Sequence, residues 1–229
     1  MTDLQNVRMR FNDRFYSDPL IRSLYRKVAD GKASYAEVQT FAQRTSTICS
    51  DVLAGYIPEG MAESEVMAWA EELVTPSLTQ MHGLIDDVAQ QVQTHINKAA
   101  HIGIRAQSVP VDYERLGGIA SALEAAEDTA QAESLLRRTS ENYARHVGDE
   151  AVRRNAAFQR KAGLKPTIRR TSAAKCCAWC AEVAGTYDYA DVSRQGDDVW
   201  RRHLDCRCTI TYIAPGRTET VQNYRRRES

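Results

Sequence analysis

Two short cysteine clusters constrain this chain more than anything else in it. Cys176-Cys177-Ala178-Trp179-Cys180 is followed by His203-Leu204-Asp205-Cys206-Arg207-Cys208, so five of the six cysteines and one of the five histidines fall within 33 residues. The other 196 positions hold one cysteine, Cys49. The spacing reads C-x2-C, a gap of 22 residues, then H-x2-C-x-C. Each half can offer two soft ligands to one ion, and the gap is long enough for a loop or hairpin to bring the halves together. Tetrahedral zinc needs four such groups, with sulfur at about 2.3 Å and imidazole nitrogen at about 2.0 Å. Cys177, Cys180 and His203 are the leading ligands, Cys206 and Cys208 compete for the fourth place, and Cys176 can replace Cys177. Two ions would need more ligands than the segment holds, so one structural zinc is expected. Disulfides are the competing reading, and they leave the embedded histidine without a use.

With 43% apolar residues the chain can bury a real core, and its 30 basic and 30 acidic residues give no global electrostatic case for nucleic acid. Local distribution says more. From Ala151 to Lys175 there are eight basic residues and no acid: Arg153, Arg154, Arg160, Lys161, Lys165, Arg169, Arg170 and Lys175. Such a run can meet phosphate or an acidic partner surface; as a plainer alternative it is a solvated helix face followed by a linker. The first residues are polar, without the apolar core of a signal peptide, and no window approaches 18 apolar residues. Synthesis in the cytoplasm, reduced thiols and no membrane partner are therefore expected.

Helical punctuation runs through the first 160 residues. Leu4, Val7, Phe11 and Phe15 stripe one face. Asp18-Pro19 offers an N-cap and a favoured first helical residue, and Gly31 closes the helix that follows. Ser34-Tyr35-Ala36-Glu37 is a capping box ahead of Val38, Phe41, Thr45, Ile48 and Val52, with Cys49 a buried, inert thiol beside them. A shorter helix through Val66, Trp69 and Leu73 is expected to run into Pro76. Leu78, Met81, Ile85, Val88, Val92 and His95 then form a narrow apolar seam suited to a helical partner. His82, His95, His101 and His146 lack a second His or Cys at ligand spacing. Residues 103–110 break the pattern, and two more helices follow over 113–126 and 130–162. After Lys165-Pro166 come short β-prone runs: Thr167-Ile168-Arg169, Thr186-Tyr187-Asp188-Tyr189 and Thr209-Ile210-Thr211-Tyr212. The expected fold is mainly α: an elongated helical body over 1–163 that packs and docks, a small α+β module over 164–214 stabilised by zinc, and a basic, flexible tail over 215–229 that includes Arg225-Arg226-Arg227. Trp179, Tyr187, Tyr189 and Trp200 supply the module's scant core, and removing the metal should unfold the module selectively.

The wording of the cysteine segment also resembles a known family. Cys-x-x-Cys, a following Gly185-Thr186-Tyr187, and Arg201-Arg202-His203-x-x-Cys206-Arg207-Cys208 are similar to the C-terminal signature of phage head morphogenesis proteins of the Mu F-like minor capsid type. There an H-x-N-C-R-C ending is common, and Asp205 here stands where Asn is frequent. Asn155-Ala156-Ala157-Phe158, Ala162-Gly163-Leu164-Lys165-Pro166, Ile168-Arg169-Arg170, Asp18-Pro19-Leu20-Ile21 and Ser34-Tyr35-Ala36-Glu37 resemble minor head proteins of tailed phages of Gram-positive hosts. The resemblance implies a low-copy structural protein of the virion head, made in the host cytoplasm and incorporated during assembly. Portal or capsid proteins would be its partners, with packaged DNA as a further one, and no small-molecule substrate.

Two other classes compete. A zinc-ribbon-like nucleic-acid-binding protein would carry salt-dependent affinity on Arg153, Arg154, Lys161, Lys165, Arg169 and Arg170. A nuclease of HNH type would need a free histidine as base and a magnesium site. Asp188, Asp191, Asp197 and Asp198 are the nearby carboxylates for that role, and the module's one histidine lies inside the presumed metal cluster. There is no Gly-rich phosphate loop, G-x-S-x-G or H-E-x-x-H, so no catalytic residues and no enzyme activity are expected.

Overall fold

A computed structural model describes residues 2–195, 199–203 and 205–214, with the side chains of 193–195 excepted. The basic tail and Asp197 and Asp198 lie outside the described residues. The chain is mainly helical, with a small antiparallel sheet and a Cys/His cluster that follow the long helices and are interleaved with two short ones.

Local chemistry sets the helix starts. Helix α1 (Asp3–Ser17) opens with a reciprocal capping box between Thr2 and Gln5 and buries Val7, Phe11 and Phe15 at a four-residue step. Asp18 caps α2 (Pro19–Ala29): its Oδ1 accepts the Leu20 and Ile21 N–H groups at 3.0 and 2.9 Å, and its Oδ2 accepts Arg44 Nη2 at 2.6 Å. Gly31 closes the turn at φ +66°, where a Cβ would sit 3.2 Å from His95 Nδ1. Ser34 and Glu37 form the expected capping box of α3 (Tyr35–Ala54). This helix is apolar on most sides because α1, α5 and above all α7 surround it.

The helix through Trp69 does not stop at Pro76. Helix α4 (Glu63–Trp69) passes through a π turn (Ala70–Val74) directly into α5 (Thr75–Ala99). Pro76 has no N–H to donate, and the wider turn before it absorbs the change in hydrogen-bond register, so the axis continues. The break after α5 is firmly held. His82 Nε2 bonds the Val109 carbonyl at 2.8 Å, Val109 N–H donates to Asp86 Oδ1 at 2.9 Å, and Gln107 N–H donates to Asn155 Oδ1 at 2.9 Å. His82 is thus a buried core residue, its Nδ1 3.1 Å from the Tyr143 hydroxyl. Helix α6 (Tyr113–Glu124) leads to α7 (Thr129–Lys161), whose 33 residues span about 50 Å at 1.5 Å per residue. Gly163, at φ +84°, ends it.

Strands β1 (Thr167–Thr171), β2 (Gly185–Asp188) and β3 (Thr209–Ile213) form one antiparallel sheet in the order β2-β1-β3. Tyr189 does not extend β2 but starts helix α9 (Tyr189–Gln195), and Asp188 Oδ1 accepts the Ala190 N–H there at 2.8 Å. Side chains alternate across a strand, so Ile168 and Arg170 share the buried face with their register partners Tyr212 and Ile210. That face does not form a separate core: Ile168, Ile210 and Tyr212 belong to the same buried cluster as Tyr35, Val38, Val147 and Val152. The Tyr212 ring lies 6.5 Å from Tyr35, and its hydroxyl donates to Gln159 Oε1 on α7. Tyr187, Tyr189 and Trp200 pack at the edge of that shared core. The sheet is built into the helical body, and the cysteines gather just beyond it as a second, smaller cluster.

Candidate metal centre

The first pair of sulfurs is placed by helix α8 (Ala178–Glu182). Cys177 is its N-cap, and Cys177 Sγ accepts the Cys180 N–H at 3.4 Å. A three-residue step on one helical turn puts both sulfurs on one side. The second set comes from a tight turn, closed by the Cys206 N–H on the His203 carbonyl at 3.2 Å. Asp205 sits there at φ +66°, and Arg138 Nη2 on α7 holds its carboxylate at 2.7 Å. Cys208 stands one residue before β3.

The folded chain brings all five expected ligands together. His203 Nε2 lies 3.4 Å from Cys177 Sγ and 3.2 Å from Cys180 Sγ, and Cys180 Sγ lies 3.7 Å from Cys206 Sγ. Zinc bonds of about 2.3 Å to sulfur and 2.0 Å to nitrogen, at tetrahedral angles, give ligand–ligand edges of about 3.7 Å for S···S and about 3.5 Å for S···N. The observed edges fit. The donors form two overlapping triplets, Cys177–Cys180–His203 and Cys180–Cys206–Cys208, with Cys180 common to both. Cys177 and His203 are exposed, whereas Cys180, Cys206 and Cys208 are buried. These residues can hold a metal ion. Cys176, half-buried at the margin, is outside both triplets.

The protonation pattern follows from this geometry. Burial, then the neighbouring thiols, push Cys180 up to about 12, so a metal must displace its proton. The Cys180 N–H donated to its sulfur brings Cys177 below the ordinary thiol range, helped by His203. Burial works against ionising Cys208, but hydrogen bonds from Cys180, the Ala173 backbone and Cys206 outweigh it and bring its pKa down. Cys49, by contrast, is buried away from the cluster and raised to about 12 by burial alone, an inert core thiol.

Two arginines complete the surroundings. Arg170, 1% exposed, donates Nη1 to the carbonyls of Val199 and Arg201 at 2.6 and 2.8 Å, and its Nη2 is 3.7 Å from both Cys180 Sγ and Cys206 Sγ. Its guanidinium also stacks over Trp179, 5.1 Å from the ring centroid, and that ring meets His203 edge-on. Arg202 Nη1 donates to the Cys208 carbonyl at 2.8 Å and lies 3.7 Å from Cys206 Sγ. Sequence reasoning placed Arg170 in a partner-binding patch, and the structure corrects this. Period-two alternation from buried Ile168 puts it on the inner face of β1, where no phosphate can reach it. Arg202 carried no signal in the sequence beyond its position beside His203.

The rest of the basic run is divided. Lys161 and Lys165 are exposed near the end of α7, Arg153 pairs with Glu150 at 3.7 Å, Arg154 Nε donates to the Ser108 carbonyl at 2.8 Å, and Arg169 Nε reaches Thr186 Oγ1 at 3.2 Å. They form no single row, because helix and strand positions separate them. No carboxylate joins the Cys/His cluster among the described residues, and Asp188 is engaged as the cap of α9. No helix among the described residues is long and apolar enough to cross a membrane. No protein-family model, curated protein or solved structure matches the chain.

Proposed function

We propose that the chain is a non-enzymatic structural protein of a phage head, a minor capsid protein of the head-morphogenesis type, with one structural zinc ion in its Cys/His cluster. The observation that carries the metal half is the convergence of Cys177, Cys180 and His203, with Cys206 3.7 Å from Cys180, at separations near tetrahedral edges. Three soft sulfurs and one imidazole suit zinc. Cys206, 3.7 Å from Cys180, and Cys208 both stand in the second triplet, and either can supply the fourth ligand. Burial of Cys180 and Cys206 beside Arg170, and the choice of thiolate and imidazole donors without a carboxylate among the described residues, favour a structural site.

The phage-head half rests on the wording of the motif around these ligands, Arg201-Arg202-His203-x-x-Cys206-Arg207-Cys208 with Gly185-Thr186-Tyr187 before it. On this reading the helical body docks on a portal or capsid protein inside the virion. Lys161 and Lys165, with Arg160 and Lys175, are exposed positions of the basic run open to DNA or an acidic protein face.

Elemental analysis of purified protein, with thiol titration, tests the metal: one zinc per chain and six titratable thiols after denaturation are expected. No metal, with the cluster cysteines in disulfides, would overturn it. Mass spectrometry of purified particles tests the assignment to the head: a few copies per particle are expected, and complete absence from both procapsids and mature heads sinks it.

A further inference from the structure

We propose that Arg170 and Arg202 are outer-sphere donors of the metal centre, Arg170 to the sulfurs of Cys180 and Cys206 and Arg202 to that of Cys206, fixing these sulfurs in place for the ion and keeping them unreactive once bound. The inference rests on the zinc reading and extends it to residues that do not touch the metal.

Each guanidinium is aimed by bonds that leave little freedom. Arg170 is fixed by two backbone carbonyls, and its Nη2 bridges the two sulfurs at equal distances of 3.7 Å. Arg202 is fixed by Asp149 and by the Cys208 carbonyl, and its Nη1 reaches the second side of Cys206 Sγ. Cys206 thus faces two cationic donors and Cys180 faces one. An N–H donated to a metal-bound sulfur is a charge-assisted hydrogen bond, so the buried guanidiniums here hold the two sulfurs in position for the ion. The same bonds withdraw charge from sulfur, which lowers its attack on electrophiles and oxidants. Arg170 also bears on His203, because the Trp179 ring that it covers is set edge-on to that imidazole. One buried side chain therefore touches the setting of three ligands. Arginine on the inner face of a β-strand is otherwise a poor choice beside Ile168, since a charge there is costly unless it is satisfied.

The test uses the full chain, wild type against Arg170→Gln, Arg170→Lys and Arg202→Lys. Zinc affinity is read by competition with a chromophoric chelator at neutral pH, sulfur electronics by the sulfur-to-metal charge-transfer band of the cobalt(II)-loaded protein, and reactivity by iodoacetamide alkylation of the zinc-loaded protein. Arg170→Gln should lose about 10- to 100-fold in affinity, the scale typical of outer-shell changes. Its cobalt band should move to longer wavelength and its alkylation should quicken. Arg170→Lys should recover part of each, and Arg202→Lys should show the same band shift more weakly. Helical circular dichroism reports folding, and if Arg170→Gln fails to fold, the two lysine variants carry the test. Wild-type affinity and an unshifted cobalt band in the folded variants would overturn the inference while leaving the zinc reading intact. A wild-type chain that takes up neither zinc nor cobalt would overturn both.

Discussion

Arg202 forks onto Asp149 across the seam between the cysteine segment and α7: Nη2 lies 2.9 Å from Oδ1, Nε bonds Oδ2, and both side chains are 5% exposed. The same carboxylate accepts Gln39 Nε2 from α3 at 2.8 Å. One buried anion thereby ties together two core helices and the metal-bearing turn. Asp149→Ala would leave a buried guanidinium and a buried amide without their acceptor, and a loss of about 3–5 kcal/mol is expected. Asp149→Asn keeps an acceptor and should cost less. Urea unfolding at fixed zinc concentration gives both values, and near-wild-type stability of Asp149→Ala would show that the pair ties nothing together.

Removal of the metal should act locally. The sheet face of Ile168, Ile210 and Tyr212 shares the helical core, whereas Cys180, Cys206 and Cys208 stand in a cluster of their own. Chelation should therefore strip hydrogen-exchange protection from 176–182 and 201–208 while β1 and β3 stay protected. This narrows the selective unfolding of 164–214 that the sequence suggested. Concerted loss of protection across β1 and β3 would restore the wider version.

Asp205 holds a left-handed backbone, at φ +66°, two residues after a candidate ligand. Asn tolerates that conformation as well as Asp does, so Asp205→Asn should stay within about 0.5 kcal/mol, losing only an exposed ion pair with Arg138. Asp205→Val must pay for a β-branched residue at positive φ, about 1–2 kcal/mol. It should also weaken zinc binding through a displaced His203. Thermal melts and chelator competition on the two variants check the contrast, and equal behaviour would refute it.

His146 sets a pH dependence. Burial, with Arg115 next, lowers its pKa to about 4, overcoming the pull of Asp149 and of the Asp112 carboxylate 3.7 Å away. The unfolded chain takes up this proton near 6.5 and the folded chain near 4, so stability falls as pH drops through that window and is unaffected above it. At about 1.4 kcal/mol per unit the effect is at most about 3.5 kcal/mol. His146→Gln should lose less stability than wild type between pH 6.5 and 4, measured on chelated protein so that metal release does not contribute. Parallel stability curves would exclude the effect.

Much of this was legible from local chemistry. The capping box at Ser34 and Glu37, the Asp18-Pro19 start and the glycine at 163 act within a few residues, so α2, α3 and the end of α7 could be read directly. The cysteine cluster was legible because its chemistry is rare and its spacing short. What stayed hidden depends on distant partners. At Pro76 the sequence suggests a helix end, and only the structure shows that a π turn takes up the missing N–H so that the helix continues. Arg170 looked like part of a solvent-facing run until its strand was known to bury the Ile168 face. Asp149 and Gln39 are ordinary polar residues in sequence, and they matter only because Gly148 lets α3 approach α7 so closely that an added Cβ would lie 2.7 Å from Gln39 Nε2.

The contact between Tyr35 and Tyr212 has a kinetic meaning. It joins the start of α3 to a strand that follows almost everything else in the chain. The helices can form early from neighbouring residues, yet the surface around Tyr35, Gln93 and Gln159 stays uncovered until β3 arrives. Closing so wide a loop costs entropy before any burial offsets it, which slows folding. Strand β3 is the keystone of the helical core, and its docking, with the metal turn immediately before it, closes the surface around Tyr35.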